Sequence, residues 1–531
     1  MARHMLNRLA LGVLLTILPA LDCEPGTGSA RAEDLWPLAR DAQAVHRFST
    51  LITAHNVRDL LSTEEGLNSA IKWCQQTGVT KIYLETFRSD YTARAEALIR
   101  ARDQFRAAGI EVSGCVTTTN VGKQSTGWNL ISCYTHPPTQ ATLQKVFEFT
   151  ASLFDEIMID DFWFTDCECP DCLAARQART VTIQGETYPV TGDSWEDYRC
   201  ELLVQLSRHA ILAPARRVNP RVKVIIKYPQ WYDQFHNRGY EVLRETEDFD
   251  RIWVGTEVRD YDDKEWGGTP PYEAYFIMRW LGGIGAEKCG GGWFDPYGTT
   301  EKTYVEQARQ TILGGAREST LFCYGSLLEG TGPRNVEVLR EHIPELLQVA
   351  KQVRQCQIVG VAAYKPANSH AENEPRVFDF IGMLGIPLVP CHTFPTDAPA
   401  GFFSVHALKD PQLIDQLSAF IAAGKPTLLT DGLAKRLQSK MNLQRDNVII
   451  VPVNGEPKSL LELPQTELDK WRRVLLAPLS VQFQAPNRIG LYLFSDGSWV
   501  VENFRDEPVT VQLNGQSLEI GPRDWKSDWR M

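Results

Sequence analysis

The stretch EIMIDDFWFTDCECPDC, residues 156–172, combines the pattern that decides the fold with the densest chemistry of the chain. A short apolar run ends in two adjacent aspartates, Asp160 and Asp161, and three cysteines follow with the spacing C-x-C-x-x-C. An uninterrupted apolar run is typical of a parallel β-strand that is buried on both faces. Polar residues directly after such a strand stand where parallel α/β folds place their ligand sites.

Similar runs recur along residues 47–355, with amphipathic helical patterns between them. In chain order they are STLITAH, KIYLETF, IEVSGCVTT, EIMIDDFWF, VKVIIKY, RIWVGTEV, KCGGGWFD and TLFCYGS. Eight such units over roughly 300 residues predict an α/β protein with a (β/α)8 TIM barrel. An open doubly wound sheet is the alternative, which the number of units disfavours.

Two changes of pattern after the barrel predict two further domains. Residues 356–444 alternate between strand and helix patterns and predict a small α/β domain. Residues 445–531, which begin with NVIIVPVN, are rich in strand signals and contain Asp-Gly and Asn-Gly turns. Because these dipeptides favour hairpins, we expect a small antiparallel β domain.

The amino terminus has the pattern of a secretory signal peptide. A basic start, MARHMLNR, precedes the apolar stretch LALGVLLTILPAL, and Ala30-x-Ala32 offers a cleavage site. We therefore expect residues 1–32 to be removed and the protein to be exported to the periplasm or the exterior. No other stretch is apolar and long enough to predict membrane insertion after cleavage.

The overall charge and the absent motifs exclude several classes of function. The formal net charge of −11 argues against a nucleic-acid partner, since nucleic-acid-binding surfaces need clustered Lys and Arg. The sequence has no P-loop, no G-x-S-x-G nucleophile elbow and no H-E-x-x-H motif. It also has no convincing dinucleotide fingerprint, so no organic cofactor is expected.

The cysteines Cys167, Cys169 and Cys172 favour a structural zinc site. Three thiols within six residues are poorly spaced for disulfides, whereas three thiolates suit a tetrahedral Zn²⁺ that needs one more ligand. Cys133 is the favoured fourth ligand and Cys115 the other choice. The alternative is one disulfide and a free thiol, which an oxidising compartment would allow.

The segment DDFWFTDCECPDC, preceded by SCYTHPPTQ, resembles the fourth-strand region of family 42 glycoside hydrolases, the β-galactosidases. There an Asn-Glu pair at the strand end precedes similar cysteines, and an upstream C-x-x-P segment supplies the fourth zinc ligand. The resemblance implies zinc bound by Cys133, Cys167, Cys169 and Cys172. It also implies a flavodoxin- or amidotransferase-like domain after the barrel, a carbohydrate substrate and a homo-oligomer, with a trimer expected.

Carboxylates at the predicted strand ends are the catalytic candidates. Glycoside hydrolysis uses one carboxyl group to protonate the leaving oxygen and another to attack or to activate water. By the resemblance, Asp161 replaces the acid/base Glu and Asp160 replaces the sugar-contacting Asn. In barrels that resemble α-galactosidases, the fourth-strand aspartate is instead the nucleophile and a sixth-strand carboxylate, here Glu257, is the acid/base. Asp295 after the seventh strand is the other candidate partner, less favoured than Glu257.

Other polar and aromatic residues near the strand ends are predicted to bind the substrate. Aromatic rings can stack on sugars, and charged groups can contact sugar hydroxyls. These residues are Glu85, Lys227, Trp163, Trp293 and Tyr324. The sequence therefore predicts an exported glycoside hydrolase that acts on an oligo- or polysaccharide. The alternative is a catalytically inactive glycan-binding or scaffold protein on the same barrel.

Overall fold

The structure is a computed structural model that describes residues 35–259 and 268–530. The predicted signal peptide, residues 1–32, lies outside the described residues and stays a prediction. Within the described residues, no helix combines the length and the hydropathy needed to cross a bilayer.

Eight parallel strands form a closed barrel, which confirms the predicted fold. Each strand pairs with the next in sequence, and the eighth pairs with the first. The strands are β1 (Arg47–Ile52), β2 (Val79–Arg88), β3 (Glu111–Val116), β4 (Glu156–Ile159), β5 (Lys223–Tyr228), β6 (Arg251–Gly255), β7 (Cys289–Phe294) and β8 (Glu318–Leu321).

Helices surround this barrel and follow the predicted amphipathic stretches. Several begin at the expected capping residues, such as Thr63 before α3 and Ser194 before α7, whose side chains accept hydrogen bonds from helix N–H groups. The helices are α1 (Leu35–Ala42), α2 (Ala54–Asp59), α3 (Glu64–Gln76), α4 (Ala95–Ala107), α5 (Pro137–Leu153), α6 (Pro170–Ala178), α7 (Trp195–Leu206), α8 (Ala213–Val218), α9 (Phe235–Arg238), α10 (Val242–Asp248), α11 (Glu273–Gly285), α12 (Glu301–Leu313) and α13 (Gly332–Gln355).

The barrel interior is a separate, tightly filled core. Alternate residues of each strand point inward, which is why the apolar runs contain both core-facing and helix-facing residues. The glycines of β7 accommodate the Trp253 indole, because a Cβ at Gly290 or Gly291 would lie 2.3 or 2.5 Å from it. The interior cluster comprises Leu51, Tyr83, Cys115, Met158, Ile225, Trp253, Trp293 and Cys323.

The second domain is a five-stranded parallel sheet with helices. Its strands are β9 (Val361–Tyr364), β10 (Leu388–Cys391), β11 (Gly401–Phe403), β12 (Thr427–Thr430) and β13 (Val448–Val451). Their order, β10-β9-β11-β12-β13, is that of flavodoxin-like sheets, as the resemblance implied. The helices of this domain are α14 (Val377–Gly382), α15 (Leu413–Ala422) and α16 (Asp431–Leu437).

One strand was assigned to the wrong domain. The run NVIIVPVN, predicted to open the β domain at residue 445, forms β13 and pairs in parallel with β12. The boundary between residues 444 and 445 therefore falls inside the α/β sheet. The sequence misleads here because a short apolar run does not reveal the direction of its partner strand.

The carboxyl-terminal region consists of antiparallel strands preceded by α17 (Gln465–Leu476). The Asp-Gly turn connects β14 to β15 and the Asn-Gly turn connects β16 to β17, as predicted. Both turn glycines have positive φ, +88° at Gly497 and +82° at Gly515, which explains the choice of glycine. The strands are β14 (Ile489–Phe494), β15 (Trp499–Asn503), β16 (Val509–Leu513), β17 (Gln516–Ile520) and β18 (Trp525–Asp528).

Candidate active site

The carboxyl-terminal ends of the barrel strands surround a cavity of about 480 Å³. All four predicted catalytic carboxylates line it. Asp160 and Asp161 follow β4, Glu257 lies just beyond β6, and Asp295 follows β7. The barrel topology brings them together, because parallel strands present the same end to one face.

Lys227, at the end of β5, connects two of these carboxylates. Its Nζ lies 2.9 Å from Asp161 Oδ2 and 2.8 Å from Glu257 Oε1. The side chain is buried below the cavity, with Nζ 4.2 Å from the centre of the Trp293 ring. Burial opposes the charge on this ammonium, but the carboxylates around it outweigh burial and raise its pKa. Lys227 is therefore a fixed positive charge that positions both carboxylates.

Asp161 has the electrostatic surroundings of a proton donor. Burial raises its pKa to about 7, and the negative charges of Asp160 and Glu257 contribute in the same direction, against the effect of Lys227. Part of the side chain remains open to the cavity. A carboxyl group with this pKa carries its proton for part of the time at neutral pH.

Asp160 has the opposite surroundings although it is adjacent in sequence. Burial alone would raise its pKa, but the positive charges of Arg88 and Lys227 outweigh burial and lower it. Its oxygens accept hydrogen bonds from Arg88 at 2.8 Å, from Thr117 at 2.9 Å and from the Asp161 backbone N–H at 2.8 Å. Asp160 is thus an ionised, firmly held carboxylate.

The remaining two carboxylates differ in how they are paired. Asp295 accepts a hydrogen bond from Arg259, and its second oxygen accepts one from the Tyr297 backbone N–H at 3.1 Å. Burial raises the pKa of Asp295 to about 6 in spite of Arg259. Glu257 Oε2, in contrast, is buried without a hydrogen-bond partner among the described residues. Glu257 itself lines the cavity, and Oε2 is its oxygen without a protein partner among the described residues.

Aromatic rings form much of the remaining wall. Trp128 lies 5.6 Å from Phe162 and 6.1 Å from Phe164, and Phe164 contacts Trp231 edge to face at 5.5 Å, all between ring centres. On the other side, Trp293 stacks on Phe322 with ring centres 4.9 Å apart. Such surfaces bind the apolar faces of sugar rings, so the cavity combines an aromatic wall with a carboxylate floor.

Of the five predicted substrate-binding residues, only Trp293 lines the cavity. Glu85 is buried below it, where its oxygens accept hydrogen bonds from Ala54 N and Arg88 and one of them contacts the Thr117 hydroxyl. Lys227 is also below the floor, in the positioning role described above. Neighbouring protein groups contact the polar atoms of both residues, and direct contact of either with the substrate stays a prediction.

Trp163 and Tyr324 are core residues and not substrate platforms. The Trp163 indole is fully buried, donates to Ser207 Oγ at 3.1 Å and packs on Tyr134. Tyr324 is buried against Trp73, with ring centres 5.3 Å apart. Both predictions were wrong because side chains after a strand end can turn back under the surrounding helices.

Three arginines of the cavity were not predicted. Arg88 binds Asp160 and Glu85, Arg259 binds Asp295, and the Arg238 guanidinium lies 5.0 Å from the Phe164 ring centre and 5.1 Å from that of Trp231. Arg88 and Arg259 do stand near the ends of predicted strands, a position that could have identified them. Arg238 comes from α9, and the sequence carries no signal for its approach to the cavity.

The four cysteines of the predicted metal site lie together beside the cavity. Cys133 Sγ is 3.7 Å from Cys169 Sγ and 3.6 Å from Cys172 Sγ, and Cys169 and Cys172 are 3.7 Å apart. Together with Cys167 Sγ, all four atoms lie within 4.8 Å of one another. A tetrahedral zinc ion with bonds of about 2.3 Å requires sulfur atoms roughly 3.8 Å apart, so this arrangement fits the ion.

The alternatives considered for these cysteines do not match the structure. No disulfide joins any cysteine of the described residues. The sulfur separations of the cluster also exceed the roughly 2.0 Å of a disulfide bond. Cys115, the other candidate ligand, lies in the barrel interior and not with the cluster.

Comparison with known proteins identifies the family of this fold and site. Residues 35–341 match a family model described as "Probable glycosyl hydrolase, catalytic domain", and the match extends over more than half of the chain. The chain belongs to this glycosyl hydrolase family. The matched residues include the barrel and all four carboxylates of the cavity.

The name of one sequence relative specifies no activity. An uncharacterized protein of Saccharolobus solfataricus is 28% identical over 364 residues, which are 64% of this chain and 59% of that protein. The chain therefore spans less than two thirds of the length of this relative.

Solved structures share the fold of the glycosyl hydrolase at low sequence identity. The α-L-fucosidase isoenzyme 2 of Paenibacillus thiaminolyticus has a TM-score of 0.59 and 10% identity, over 90% of this chain and 91% of that chain. The GH42 β-galactosidase Gan42B of G. stearothermophilus has a TM-score of 0.60 and 9% identity, over 91% and 97%. The resemblance to family 42 is thus confirmed for the fold.

Proposed function

We propose that this glycosyl hydrolase cleaves O-glycosidic bonds of an oligo- or polysaccharide with retention of configuration, with Asp161 as general acid/base and Glu257 as nucleophile. The observation that carries the proposal is the pair of carboxylates held by Lys227 in the floor of an aromatic-walled cavity. Glycoside hydrolysis requires such a pair on either side of the scissile bond.

Asp161 is the better proton donor of the pair. Its raised pKa, about 7, leaves the carboxyl group protonated in part of the molecules at neutral pH. In the first step it gives this proton to the glycosidic oxygen as the bond from that oxygen to the anomeric carbon breaks. In the second step the resulting carboxylate takes a proton from water, which restores the acid.

Glu257 is the better nucleophile because one oxygen is held and the other is free. Oε1 contacts Lys227, while Oε2 has no hydrogen-bond partner among the described residues. The free oxygen attacks the anomeric carbon and forms a glycosyl ester, which the activated water then hydrolyses. The Lys227 ammonium, 2.8 Å from Oε1, holds the carboxylate in place for this attack.

The distance between the two carboxylates supports retention. Asp161 Oδ2 and Glu257 Oε1 both contact the same Lys227 nitrogen, at 2.9 and 2.8 Å. Two atoms at such distances from a common centre are less than about 6 Å apart, which is below the gap of inverting enzymes and allows the roughly 5–5.5 Å of retaining enzymes. Inverting enzymes need a wider gap, about 6.5–9.5 Å, to accommodate a water molecule.

The reverse assignment, with a fourth-strand aspartate as nucleophile, has less support. Asp160 is ionised, but Arg88, Thr117 and the backbone of Asp161 occupy its oxygens. Asp295 is similarly occupied by Arg259. We assign Asp160 and Asp295 to positioning of Arg88 and Arg259.

The experiment is a screen of wild-type protein and Asp161→Asn on aryl glycosides and oligosaccharides. Asn keeps the size of the side chain and removes only the titratable proton. Because general acid/base groups contribute about 10²–10⁴-fold to rate, we expect turnover of substrates with poor leaving groups to fall by that factor. Asp295→Asn is the matched control and should retain much more activity.

Two outcomes would reject the assignment. Equal turnover of wild-type protein and Asp161→Asn would show that Asp161 is not the acid. Binding of glycans without hydrolysis by the wild type would indicate the inactive glycan-binding protein that the sequence also allowed.

We further propose that Cys133, Cys167, Cys169 and Cys172 hold one structural Zn²⁺ when the protein is loaded. The donor set supports this assignment, since four thiolates leave no open coordination position for water. The ion would cross-link the segment after β4 to the loop that carries Cys133. It would thereby fix the chain that leaves Asp160 and Asp161, without taking part in the reaction.

A further inference from the structure

A second group of potential ligands lies between the barrel and the flavodoxin-like domain. Glu196 is in the first turn of α7, His236 is in α9, and His370 is in the segment between β9 and α14. His236 Nε2 is 3.0 Å from His370 Nδ1, and His370 Nε2 is 3.3 Å from Glu196 Oε2. His236 Nε2 is 4.0 Å from the same Glu196 oxygen.

The three side chains offer the donor atoms of a metal site. One ligand atom from each of the three residues lies within 4.8 Å of the others. Two imidazoles and one carboxylate match the donors that zinc and its first-row neighbours prefer, and they are poor donors for Mg²⁺ or Ca²⁺. Two zinc–nitrogen bonds of about 2.0–2.1 Å at a tetrahedral angle place their nitrogens roughly 3.3 Å apart, and the two histidine nitrogens lie 3.0 Å apart.

The group is buried on one side and open to solvent on the other. His236 is buried, whereas the side chains of Glu196 and His370 are 32% and 52% exposed, so water can reach the open side. Glu196 and His236 border a cavity of about 240 Å³. Asp197, Glu201 and Glu241 line it as well, against the two basic groups Arg244 and Lys409.

We propose that Glu196, His236 and His370 form a second divalent metal site, specific for Zn²⁺ or a similar ion such as Co²⁺, with water as the remaining ligand. The site is separate from the cysteine cluster and from the carboxylates of the active site. The ion would tie the flavodoxin-like domain, through His370, to the barrel, through Glu196 and His236. Because α9 also supplies Arg238 to the active-site cavity, the ion would fix this helix.

Co²⁺ titration of the chelator-treated full chain tests the proposal without reference to catalysis. Thiolate-bound Co²⁺ has an intense charge-transfer band, whereas Co²⁺ bound by histidine and carboxylate has only weak visible bands. We expect the wild type to bind Co²⁺ at both sites. His370→Ala should lose one bound ion and keep the thiolate band. Cys169→Ser should lose the thiolate band and keep the ion bound by histidine and carboxylate.

Matched controls separate the metal site from a simple hydrogen-bonded cluster. His342→Ala removes a half-buried histidine of α13 that is not part of the group and should bind as much Co²⁺ as the wild type. Glu196→Gln should weaken binding of the same Co²⁺ ion that His370→Ala loses. If His370→Ala and Glu196→Gln bind Co²⁺ with wild-type stoichiometry and affinity, the three residues form only a hydrogen-bonded cluster and the proposal is overturned.

Discussion

Asp160 and Asp161 are neighbours in sequence, yet the structure gives them different protonation. Arg88 and Lys227 keep Asp160 ionised, whereas burial and two nearby carboxylates raise the pKa of Asp161 to about 7. A pair of aspartates in a sequence cannot reveal this difference, because it depends on which charges approach from β2 and β5. The acid and the ionised group are therefore properties of the folded site.

The pH dependence of hydrolysis should report the Asp161 proton. The acid acts in its protonated form, so kcat/KM should fall as the pH rises through about 7. Asp161→Asn should lose this alkaline decline together with most of the activity. A pH–rate profile on a substrate with a poor leaving group measures both, and an unchanged alkaline limb in Asp161→Asn would assign the titration to another group.

At the scale of single elements, β7 depends on its glycines. A Cβ at Gly291 would lie 2.5 Å from the Trp253 ring inside the barrel. Because such overpacking costs about 1–3 kcal/mol, Gly291→Ala should lower the free energy of unfolding by this amount. Gly282→Ala, in α11 with no atom within 4 Å of the added carbon, should leave stability equal or higher. Urea denaturation compares the two, and equal effects would contradict the packing argument.

The segment after β4 should depend on zinc. Loss of one ligand in Cys169→Ser, or metal removal by a chelator, should lower Tm and increase hydrogen exchange over residues 160–172. Cys356→Ser, at a half-buried cysteine outside the cluster, is the control and should change neither. Wild-type protection of residues 160–172 after complete metal removal would show that packing alone holds this segment.

For the whole molecule, buried polar contacts join the barrel to the flavodoxin-like domain. Asp233 follows β5 and lies 2.8 Å from His406 Nε2, 2.8 Å from the Arg376 backbone N and 4.0 Å from Lys365 Nζ. Its removal would leave these groups buried without their carboxylate. Asp233→Ala should therefore cost about 3–5 kcal/mol in the free energy of unfolding.

A surface pair provides the comparison for this prediction. Lys470 and Glu467 form an exposed ion pair at 3.0 Å, and Lys470→Ala should cost less than about 1 kcal/mol. Denaturant unfolding of both variants tests the contrast. A cost below 1 kcal/mol for Asp233→Ala would mean that the two domains are held mainly by apolar contacts.

The sequence predicts more of the fold than of the site. Eight apolar runs of suitable length identify the barrel, and strand ends identify the cavity carboxylates, because both follow from periodicity and topology. Local sequence does not show where a side chain points after a strand ends. The side chains of Trp163 and Tyr324 lie in the core, and Arg238 reaches the cavity from the short helix α9. The direction of β13 was missed because it depends on its partner strand.

The most direct test of the proposed chemistry is azide rescue of Glu257→Ala, on any aryl glycoside that the wild type cleaves. Without the nucleophile, azide can enter the vacated space and attack the activated anomeric carbon. We predict that azide restores turnover and gives a glycosyl azide with the configuration opposite to that of the substrate. Failure of azide to rescue Glu257→Ala, together with rescue of Asp295→Ala, would contradict the account and make Asp295 the nucleophile.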